Sequence, residues 1–332
     1  MTIYDVSRAA GVSYSTVSRV LNGFEHVKDS TRSRVLRVAE ELGYVANQKA
    51  RSLAGGKSRV IGLLVPVLDN GYISEIARGV DEALARSGYD LMLYTTHRVK
   101  STEMMYAKAI ASGLSEGLLL LVPKVPAHYL ELLRAQNFPH VLIDQQDEAN
   151  RSATVETTNR QGAHDATRHL LSLGHRRIAF VSGSPELSPA RERLDGYRKA
   201  LGEAGIAFEP ELVAEGDFQT EGGRSAALEL LSLRKPPSAI FAANDLSAFG
   251  VMDAVRSVGL AIPDDISVVG FDDIPQASIT YPKLTTVRQP LTEMGRVAVT
   301  LLLEQLHSPG SELESVVLKT ELVNRESCGA ID

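Results

Sequence analysis

The sequence predicts an all-α helix-turn-helix head followed by an α/β body that contains two doubly wound parallel-sheet subdomains. Its 332 residues are 44% hydrophobic, which is enough for several globular cores. Apolar residues recur at helical spacing over the first 42 residues. Beyond residue 59, short apolar runs alternate with amphipathic stretches, and this alternation begins again at Arg177. The pattern therefore indicates one small helical unit and two α/β units.

Charge also divides the chain near residue 59. The segment 1–59 carries ten Lys or Arg and five acidic residues, whereas the rest carries 25 basic and 36 acidic residues. The net charge of −6 would argue against nucleic-acid binding, but this average combines a head of +5 with a body of −11. Because contact with phosphates requires local positive charge, the head is the candidate for DNA binding.

Several classes of protein are disfavoured by what the sequence lacks. Cys328 is the single cysteine, so the chain can form no internal disulfide or cysteine-based zinc site, and a reducing compartment is favoured. The longest apolar runs, such as Val60–Val67, are far shorter than the roughly 20 residues of a membrane helix. No basic segment followed by an apolar core opens the chain. We expect a cytoplasmic protein without membrane contact.

Motifs for enzyme chemistry are missing as well. We find no glycine-rich dinucleotide loop, no phosphate-binding loop, no Gly-x-Ser-x-Gly and no His-x-x-x-His, and the eight histidines are scattered. We therefore expect a chain that is not an enzyme and that has no catalytic residue, no metal site and no cofactor.

The sequence of the head predicts a helix, a turn and a second helix. Thr2 and Asp5 fit a capping box at the start of the first helix, which Gly11 ends. Ser13 caps a second helix, which Asn22-Gly23 ends. The apolar faces of these helices are formed by Ile3, Val6, Ala10, Val17, Val20 and Leu21.

A third helix from about Thr31 to Leu42 completes a small core and turns its arginines largely outward. Polar residues at the start of the second helix avoid its apolar face, so they would meet a DNA major groove. A plain three-helix bundle with solvated charges would show the same pattern.

Four blocks of sequence resemble those of a known protein family. The blocks are Thr2-Ile-Tyr-Asp-Val-Ser-Arg-Ala-Ala-Gly-Val-Ser, Thr16-Val-Ser-Arg-Val-Leu-Asn, Glu41-Leu-Gly-Tyr and Ala50-Arg-Ser-Leu-Ala. In this order and spacing they closely resemble the LacI/GalR family of bacterial transcription regulators, and further family motifs continue to the end of the chain.

The resemblance implies specific DNA contacts. Tyr14, Ser15 and Arg19 would read base edges, while Thr16 and Ser18 would contact phosphates. In the family the segment after Tyr44 orders as a hinge helix on operator DNA and inserts a leucine into the minor groove, here Leu53; ordinary linker packing is the alternative. The implied DNA-binding residues are Thr2, Ser13, Tyr14, Ser15, Thr16, Ser18, Arg19, Asn22, Asn47, Leu53 and Ala54.

Polar side chains follow the predicted strands of the body. Ligands bind outside the carboxyl ends of the strands in such sheets, and the carboxylates, amides and guanidinium found there suit a polyhydroxylated ligand. Phe218 and Tyr72 are aromatic residues that would cover the apolar side of a sugar ring. Asn244, Asp245 and Asp273 are ambiguous, because each would also serve as a helix cap.

The resemblance selects among these residues. Asn244-Asp-x-x-Ala-x-Gly, Val269-Gly-Phe-Asp-Asp and Leu284-Thr-Thr-Val-Arg-Gln-Pro look like signatures of the family's effector domain, which is of periplasmic-binding-protein type. Thr158 stands where many relatives have aspartate, so one ionic ligand contact would be missing here. The implied effector-binding residues are Asp69, Tyr72, Ile73, Asp144, Arg193, Phe218, Asn244 and Asp272.

These observations predict the following organisation. Residues 1–45 form the DNA-binding head, 46–58 a hinge, and 59–332 an effector-binding and dimerisation domain. Its subdomains are approximately 59–158 plus 288–308 and 159–287 plus 309–332. No leucine heptad of the kind that builds tetramers follows Leu306, so we predict a homodimer. Two heads related by a two-fold axis imply a pseudo-palindromic operator.

The predicted function is sequence-specific transcriptional regulation, with repression as the leading mode and a sugar or glycoside as the effector. A global carbon regulator with a purine or phosphoprotein effector is the alternative within this class. A sugar-binding transport protein and an enzyme acting on sugars or nucleosides are alternatives from other classes. We expect Arg19→Ala to abolish DNA binding and Asp272→Ala to abolish the ligand response, each with the fold intact.

Overall fold

A computed structural model describes residues 1–21, 24, 26–44, 58–68, 70–124, 126–147, 149–310 and 313–331. The predicted helical head is present in its described part. Its helices are α1 (Ile3–Ala10), α2 (Tyr14–Leu21) and α3 (Asp29–Glu41). They bury a small apolar core that includes Val6, Val17 and Val35. The third helix begins two residues before the predicted start because the acidic Asp29 fits its first turn, where the helix dipole favours negative charge.

The first subdomain of the body is a six-stranded sheet with helices on both faces. Its strands are β1 (Val60–Val65), β2 (Asp90–Thr95), β3 (Gly117–Leu121), β4 (His140–Ile143), β5 (Ala153–Thr157) and β11 (Ser315–Leu318). Its helices are α4 (Gly71–Ser87), α5 (Lys100–Ala109), α6 (Pro126–Ala135) and α11 (Leu291–His307). The strand order is β11-β5-β4-β3-β1-β2, and every neighbouring pair is parallel. Because helices cover both faces, β1 and β3 are buried along their whole length.

The second subdomain repeats this architecture. Its strands are β6 (Ile178–Ser182), β7 (Val213–Glu215), β8 (Ala239–Ala242), β9 (Ser267–Asp272), β10 (Thr285–Arg288) and β12 (Glu321–Val323). Its helices are α7 (Asn159–Ser172), α8 (Ser188–Glu203), α9 (Thr220–Leu231) and α10 (Asp245–Ser257). The strand order is β12-β10-β9-β8-β6-β7, and β12 is antiparallel to β10 whereas the other neighbours are parallel.

The predicted division of the C-terminal segment was wrong. The sequence pattern places residues 309–332 in the second subdomain, with one strand-like run over Ser315–Val323. In the structure, β11 pairs with β5 of the first sheet, and only β12 joins the second. The chain therefore crosses between the subdomains at residues 319–320, after β11. Only two residues separate β11 from β12, so the sequence shows a single strand-like run. The two strands become distinct only because they join different sheets.

Three further strands, β5, β7 and β10, were not predicted. They are short and contain threonine or acidic residues, so they show none of the continuous apolar runs that marked the other strands. Among the described residues, none of the helices combines the length and apolarity that crossing a membrane requires.

Candidate functional site

The start of α2 is held by a cluster of hydroxyl groups. The Ser13 side chain accepts a hydrogen bond from the backbone N–H of Thr16 at 3.2 Å, which confirms Ser13 as the cap of this helix. Its Oγ also lies 2.8 Å from Thr16 Oγ1 and 2.9 Å from Ser15 Oγ. Ser15, one of the predicted base-reading residues, is thus anchored at the helix start.

The outer face of α2 is polar and accessible, and its inner face is packed. Tyr14, Ser15 and Arg19 are exposed, while Val17 and Val20 are buried in the core of the head. An α-helix fits the major groove of B-DNA, so this face can present its side chains to base edges. Thr16 and Ser18, the predicted phosphate contacts, are half-buried at its border.

Thr2 lies at the start of α1, where the predicted capping box is confirmed. The Asp5 carboxylate accepts hydrogen bonds from Thr2 N at 2.8 Å and from Thr2 Oγ1 at 2.9 Å. These bonds lower the pKa of Asp5. The remaining predicted DNA contacts lie outside the described residues: Asn22, Asn47, Leu53 and Ala54.

A cleft separates the two subdomains at the carboxyl ends of their strands. Seven of the eight predicted effector-binding residues line it, namely Tyr72, Ile73, Asp144, Arg193, Phe218, Asn244 and Asp272. The eighth, Asp69, lies outside the described residues. The cleft has a free volume of about 70 Å³, and both subdomains contribute side chains to it.

Asp144 is the acceptor that the first subdomain supplies. It follows β4, is 3% exposed, and accepts a hydrogen bond from the Tyr72 hydroxyl at 2.7 Å. Burial and the neighbouring Asp144 carboxylate raise the pKa of Tyr72 well above its usual value, so this hydroxyl remains a donor. From the second subdomain, Asn159 Nδ2 reaches Asp144 Oδ1 at 3.4 Å.

Arg193 is the buried cation of the cleft. It lies on α8, with its Nε donating to Asn159 Oδ1 at 2.8 Å and its Nη1 donating to the carbonyl of Ala243 at 2.6 Å. The guanidinium also lies over the Phe271 ring, 3.8 Å from its centroid. These contacts fix its plane, with Nη1 3.5 Å from Asp272 and Nη2 4.0 Å from Asp144.

Asp272 is the carboxylate of the second subdomain. It is 3% exposed and has a backbone φ of 121°, which is unusual for a residue other than glycine and points to a functional constraint. Gln289 Nε2 donates to its Oδ1 at 2.7 Å. Burial raises the pKa of Asp272 to about 7, although Arg193 and the bond from Gln289 oppose the shift. Because Asp272 is buried and bonded, its truncation would disturb more than a ligand contact.

The raised pKa predicts how stability depends on pH. An acid whose pKa is higher in the folded than in the unfolded state stabilises the fold at low pH, and this contribution is lost as pH rises through the folded pKa. We expect the free energy of unfolding to fall between about pH 4 and pH 7, the interval between the unfolded and the folded pKa of Asp272. In Asp272→Asn this part of the slope should be absent. Urea unfolding at a series of pH values checks it, and identical slopes in both proteins would contradict it.

Phe218 forms an aromatic wall of the cleft. Its φ of 64° is left-handed, which costs a non-glycine residue about 1–2 kcal/mol. The ring lies against Gly183, where an added Cβ would approach Phe218 Cζ to 2.0 Å, so the missing side chain makes room for it. The Phe218 carbonyl accepts from Asn244 Nδ2 at 3.2 Å.

Asn244 has both of the roles that the sequence left open. Its Oδ1 accepts from Ser247 N at 3.0 Å and caps α10, while the same residue lines the cleft. Asp245 and Asp273 lie outside the cleft lining. Asp245 is buried and accepts hydrogen bonds from Thr286 and Ile274, whereas Asp273 pairs with Arg288 and Arg325.

The cleft also contains residues that our sequence analysis missed. They are Pro66, Asn70, Arg98, Val122, Leu187, Pro189 and Gln219. Arg98 lies on the segment after β2, a strand end that carried no recognised motif. Asn70 could have been found as a helix cap, because asparagine is favoured at that position. Its side chain caps α4 by accepting from Ile73 N at 2.9 Å.

The segments that cross between the subdomains are joined to the cleft. Thr157, at the end of β5, donates to Gln289 Oε1 at 2.6 Å, and Gln289 in turn donates to Asp272. Thr158 Oγ1 lies 2.9 Å from Thr320 Oγ1 and accepts from Thr320 N at 2.9 Å. Thr158 therefore ties two crossing segments together and is not among the residues that line the cleft.

Comparisons with known proteins identify the family. The model for "Bacterial regulatory proteins, lacI family" matches residues 2–47, and a "Periplasmic binding protein-like domain" matches residues 167–328. The HTH-type transcriptional repressor PurR of Photobacterium profundum is 35% identical over 327 residues, 98% of each chain. The chain belongs to the LacI family. It is accordingly a DNA-binding transcription regulator and not an enzyme.

Solved structures of LacI-family proteins have the same fold. The lac repressor dimer bound to operator and the anti-inducer ONPF is 31% identical, with a TM-score of 0.87 and 99% coverage of both chains. The complex of the regulator CelR with cellobiose is 32% identical, with a TM-score of 0.76, 98% coverage of this chain and 99% of the other. The predicted helix-turn-helix head and the two parallel α/β subdomains are confirmed.

Proposed function

We propose that this LacI-family regulator is a repressor whose operator affinity is controlled by a small polyhydroxylated effector, a sugar or glycoside. The observation that carries the proposal is the convergence of Asp144, Arg193 and Asp272 beside the Phe218 ring. Asp144 belongs to the first subdomain, and Arg193 and Asp272 belong to the second. A ligand between these side chains would therefore contact both subdomains. The proposal covers the effector class and the direction of control, since the family itself is already established.

The chemistry of the cleft suits a sugar. Carboxylates accept hydrogen bonds from adjacent hydroxyl groups, and charge-assisted bonds are stronger than neutral ones. Phe218 offers an apolar face to the C–H side of a sugar ring. The relative CelR is described in complex with cellobiose, which supports a sugar as the effector.

The cleft also provides a means of switching. Lys100 Nζ of the first subdomain lies 2.6 Å from Glu186 of the second, and Gln145 Oε1 accepts from Ser188 N and Oγ, each at 3.0 Å. A free volume of about 70 Å³ holds only a few water molecules, at roughly 10–15 Å³ each. We infer that a sugar enters with a relative movement of the subdomains. An effector that prefers one arrangement then changes operator affinity by its difference in binding free energy.

A dimer fits this function. Exposed apolar side chains lie on one side of the second subdomain, with Ile279 80%, Tyr281 88% and Val258 50% exposed. Arg256 donates to the carbonyl of Tyr281 and so joins the helical and loop parts of this surface. The similar lac repressor is described as a dimer on its operator. We propose that a second copy covers this surface and that the paired heads bind a pseudo-palindromic operator.

The proposal is tested with the purified full-length chain and a fluorescent palindrome from its own upstream DNA. The operator is held at one stated salt concentration, because phosphate contacts depend steeply on salt. Monosaccharides, oligosaccharides, purines and phosphorylated carrier proteins are then added one at a time. We expect specific binding that one sugar weakens. Strengthening by a sugar would indicate a corepressor, a response only to a purine or phosphoprotein would overturn the sugar assignment, and absence of specific binding would overturn the operator proposal.

A further inference from the structure

Two tyrosines are stacked on the outer surface of the head. The rings of Tyr4 on α1 and Tyr14 on α2 have centroids 5.2 Å apart and planes inclined by 23°. Tyr4 is 64% exposed and Tyr14 is 41% exposed. Large aromatic side chains normally bury most of their surface, so a stacked pair left open to solvent requires an explanation.

We propose that Tyr4 is a positioning residue that determines DNA specificity by fixing the ring of Tyr14. This inference rests on the proposed operator binding. Tyr4 was not among our predicted DNA-binding residues, and its position on α1 places it in a different helix from every base-reading candidate. Its role would be exercised through Tyr14 and would need no contact of its own with a base.

The geometry explains why Tyr14 needs such a partner. It is the first residue of α2, directly after the Ser13 cap, so helix neighbours lie only on its C-terminal side. Ser15, next to it, is anchored by the bond between its hydroxyl and Ser13, whereas Tyr14 has the Tyr4 ring. An exposed side chain without a packing partner samples several rotamers, and ordering it on DNA would then cost conformational entropy. Stacking supplies that order before DNA binds.

The test is selection of bound sequences from a random double-stranded DNA library, using full-length wild type and four variants. Tyr14→Ala identifies the base position that Tyr14 reads, as the position where the wild-type preference disappears. Tyr4→Ala removes the stacking ring, and Tyr4→Phe keeps it without the hydroxyl. Leu36→Ala is the control, since it removes a 47% exposed apolar side chain from α3 of the same head. Thermal unfolding shows that each variant is folded.

We expect Tyr4→Ala to weaken the base preference at the Tyr14 position by about 2- to 12-fold. This factor corresponds to the free energy lost with one aromatic pair. Tyr4→Phe should restore the wild-type preference, and Leu36→Ala should not change it. A full preference in Tyr4→Ala would overturn the positioning role. A loss in Tyr4→Phe as well would overturn it in favour of direct contact by the Tyr4 hydroxyl. If the wild type itself enriched no sequence, operator binding would fail together with this inference.

Should Tyr4→Ala not fold, Tyr4→Leu provides a second variant with an apolar but non-aromatic side chain. It fills similar space on α1 and cannot stack on Tyr14. The same weakening is expected in Tyr4→Leu, and a wild-type preference there would contradict the inference.

Discussion

Arg19→Ala is expected to abolish sequence-specific operator binding while leaving sugar affinity unchanged. Arg19 is exposed in the last turn of α2, on the face opposite the buried Val17 and Val20. A guanidinium can donate two parallel hydrogen bonds to a guanine in the major groove, and such a pair contributes about 1–3 kcal/mol of discrimination. A dimer would lose this contact twice, so the total loss is about 2–6 kcal/mol.

Fluorescence anisotropy with the operator and with a scrambled duplex measures this loss. Arg34→Ala is the matched control, because Arg34 is an exposed arginine on α3 and its removal changes the head charge equally. Arg34→Ala should lower the affinity for both duplexes by a similar factor. Arg19→Ala should remove the difference between them. An equal and uniform decrease in the two variants would show that Arg19 contributes only its charge.

The head could be predicted closely because its information is local. The Thr2–Asp5 capping box, the Ser13 cap and the spacing of Val17 and Val20 each depend on residues within one or two helical turns. Bounds of α1 and α2 therefore followed from the sequence. The Tyr4–Tyr14 stack did not, because it joins two helices whose relative placement depends on the whole core.

In the body, local sequence patterns predict the ends of strands but not which strands pair. Residues at the ends of recognisable strands, such as Asp144 and Asp272, became candidates because parallel strands end at a common edge, and the family resemblance selected among them. The sheets to which β11 and β12 belong depend on pairings with strands far away in the chain, and no local pattern encodes them. The same holds for Asp245, whose partner Thr286 lies 41 residues further along the chain.

Burial of Asp272 changes the expectation for its substitution. The sequence predicts that Asp272→Ala leaves the fold intact, because the side chain is expected to face solvent or ligand. In the structure, alanine would leave the Gln289 amide unbonded and would remove a carboxylate that lies 3.5 Å from the buried Arg193. A buried group without its partner costs about 1–3 kcal/mol, and more if it is charged. Asp272→Ala is therefore expected to lower the free energy of unfolding as well as the ligand response.

Asp272→Asn separates the two effects. Asparagine keeps the shape of the side chain and can still accept from Gln289 through its carbonyl oxygen. At pH 8, above the Asp272 pKa of about 7, it lacks the negative charge that the carboxylate presents to a ligand hydroxyl. A hydrogen bond to a charged group contributes about 1.5–3 kcal/mol, so we expect a roughly 10- to 150-fold loss of affinity for the sugar that releases the operator. Operator affinity without sugar should be unchanged.

The matched control is Asp273→Asn, which neutralises the adjacent carboxylate. Asp273 pairs with Arg288 and Arg325 outside the cleft lining, so this variant should keep the sugar response even if its stability falls. Calorimetric titration gives the sugar affinity directly, and anisotropy gives the operator release. Unchanged sugar affinity in Asp272→Asn would remove Asp272 from the ligand site. An equal loss in both variants would show that the effect comes from the net charge of the subdomain and not from a contact with the ligand, since the two substitutions change that charge identically.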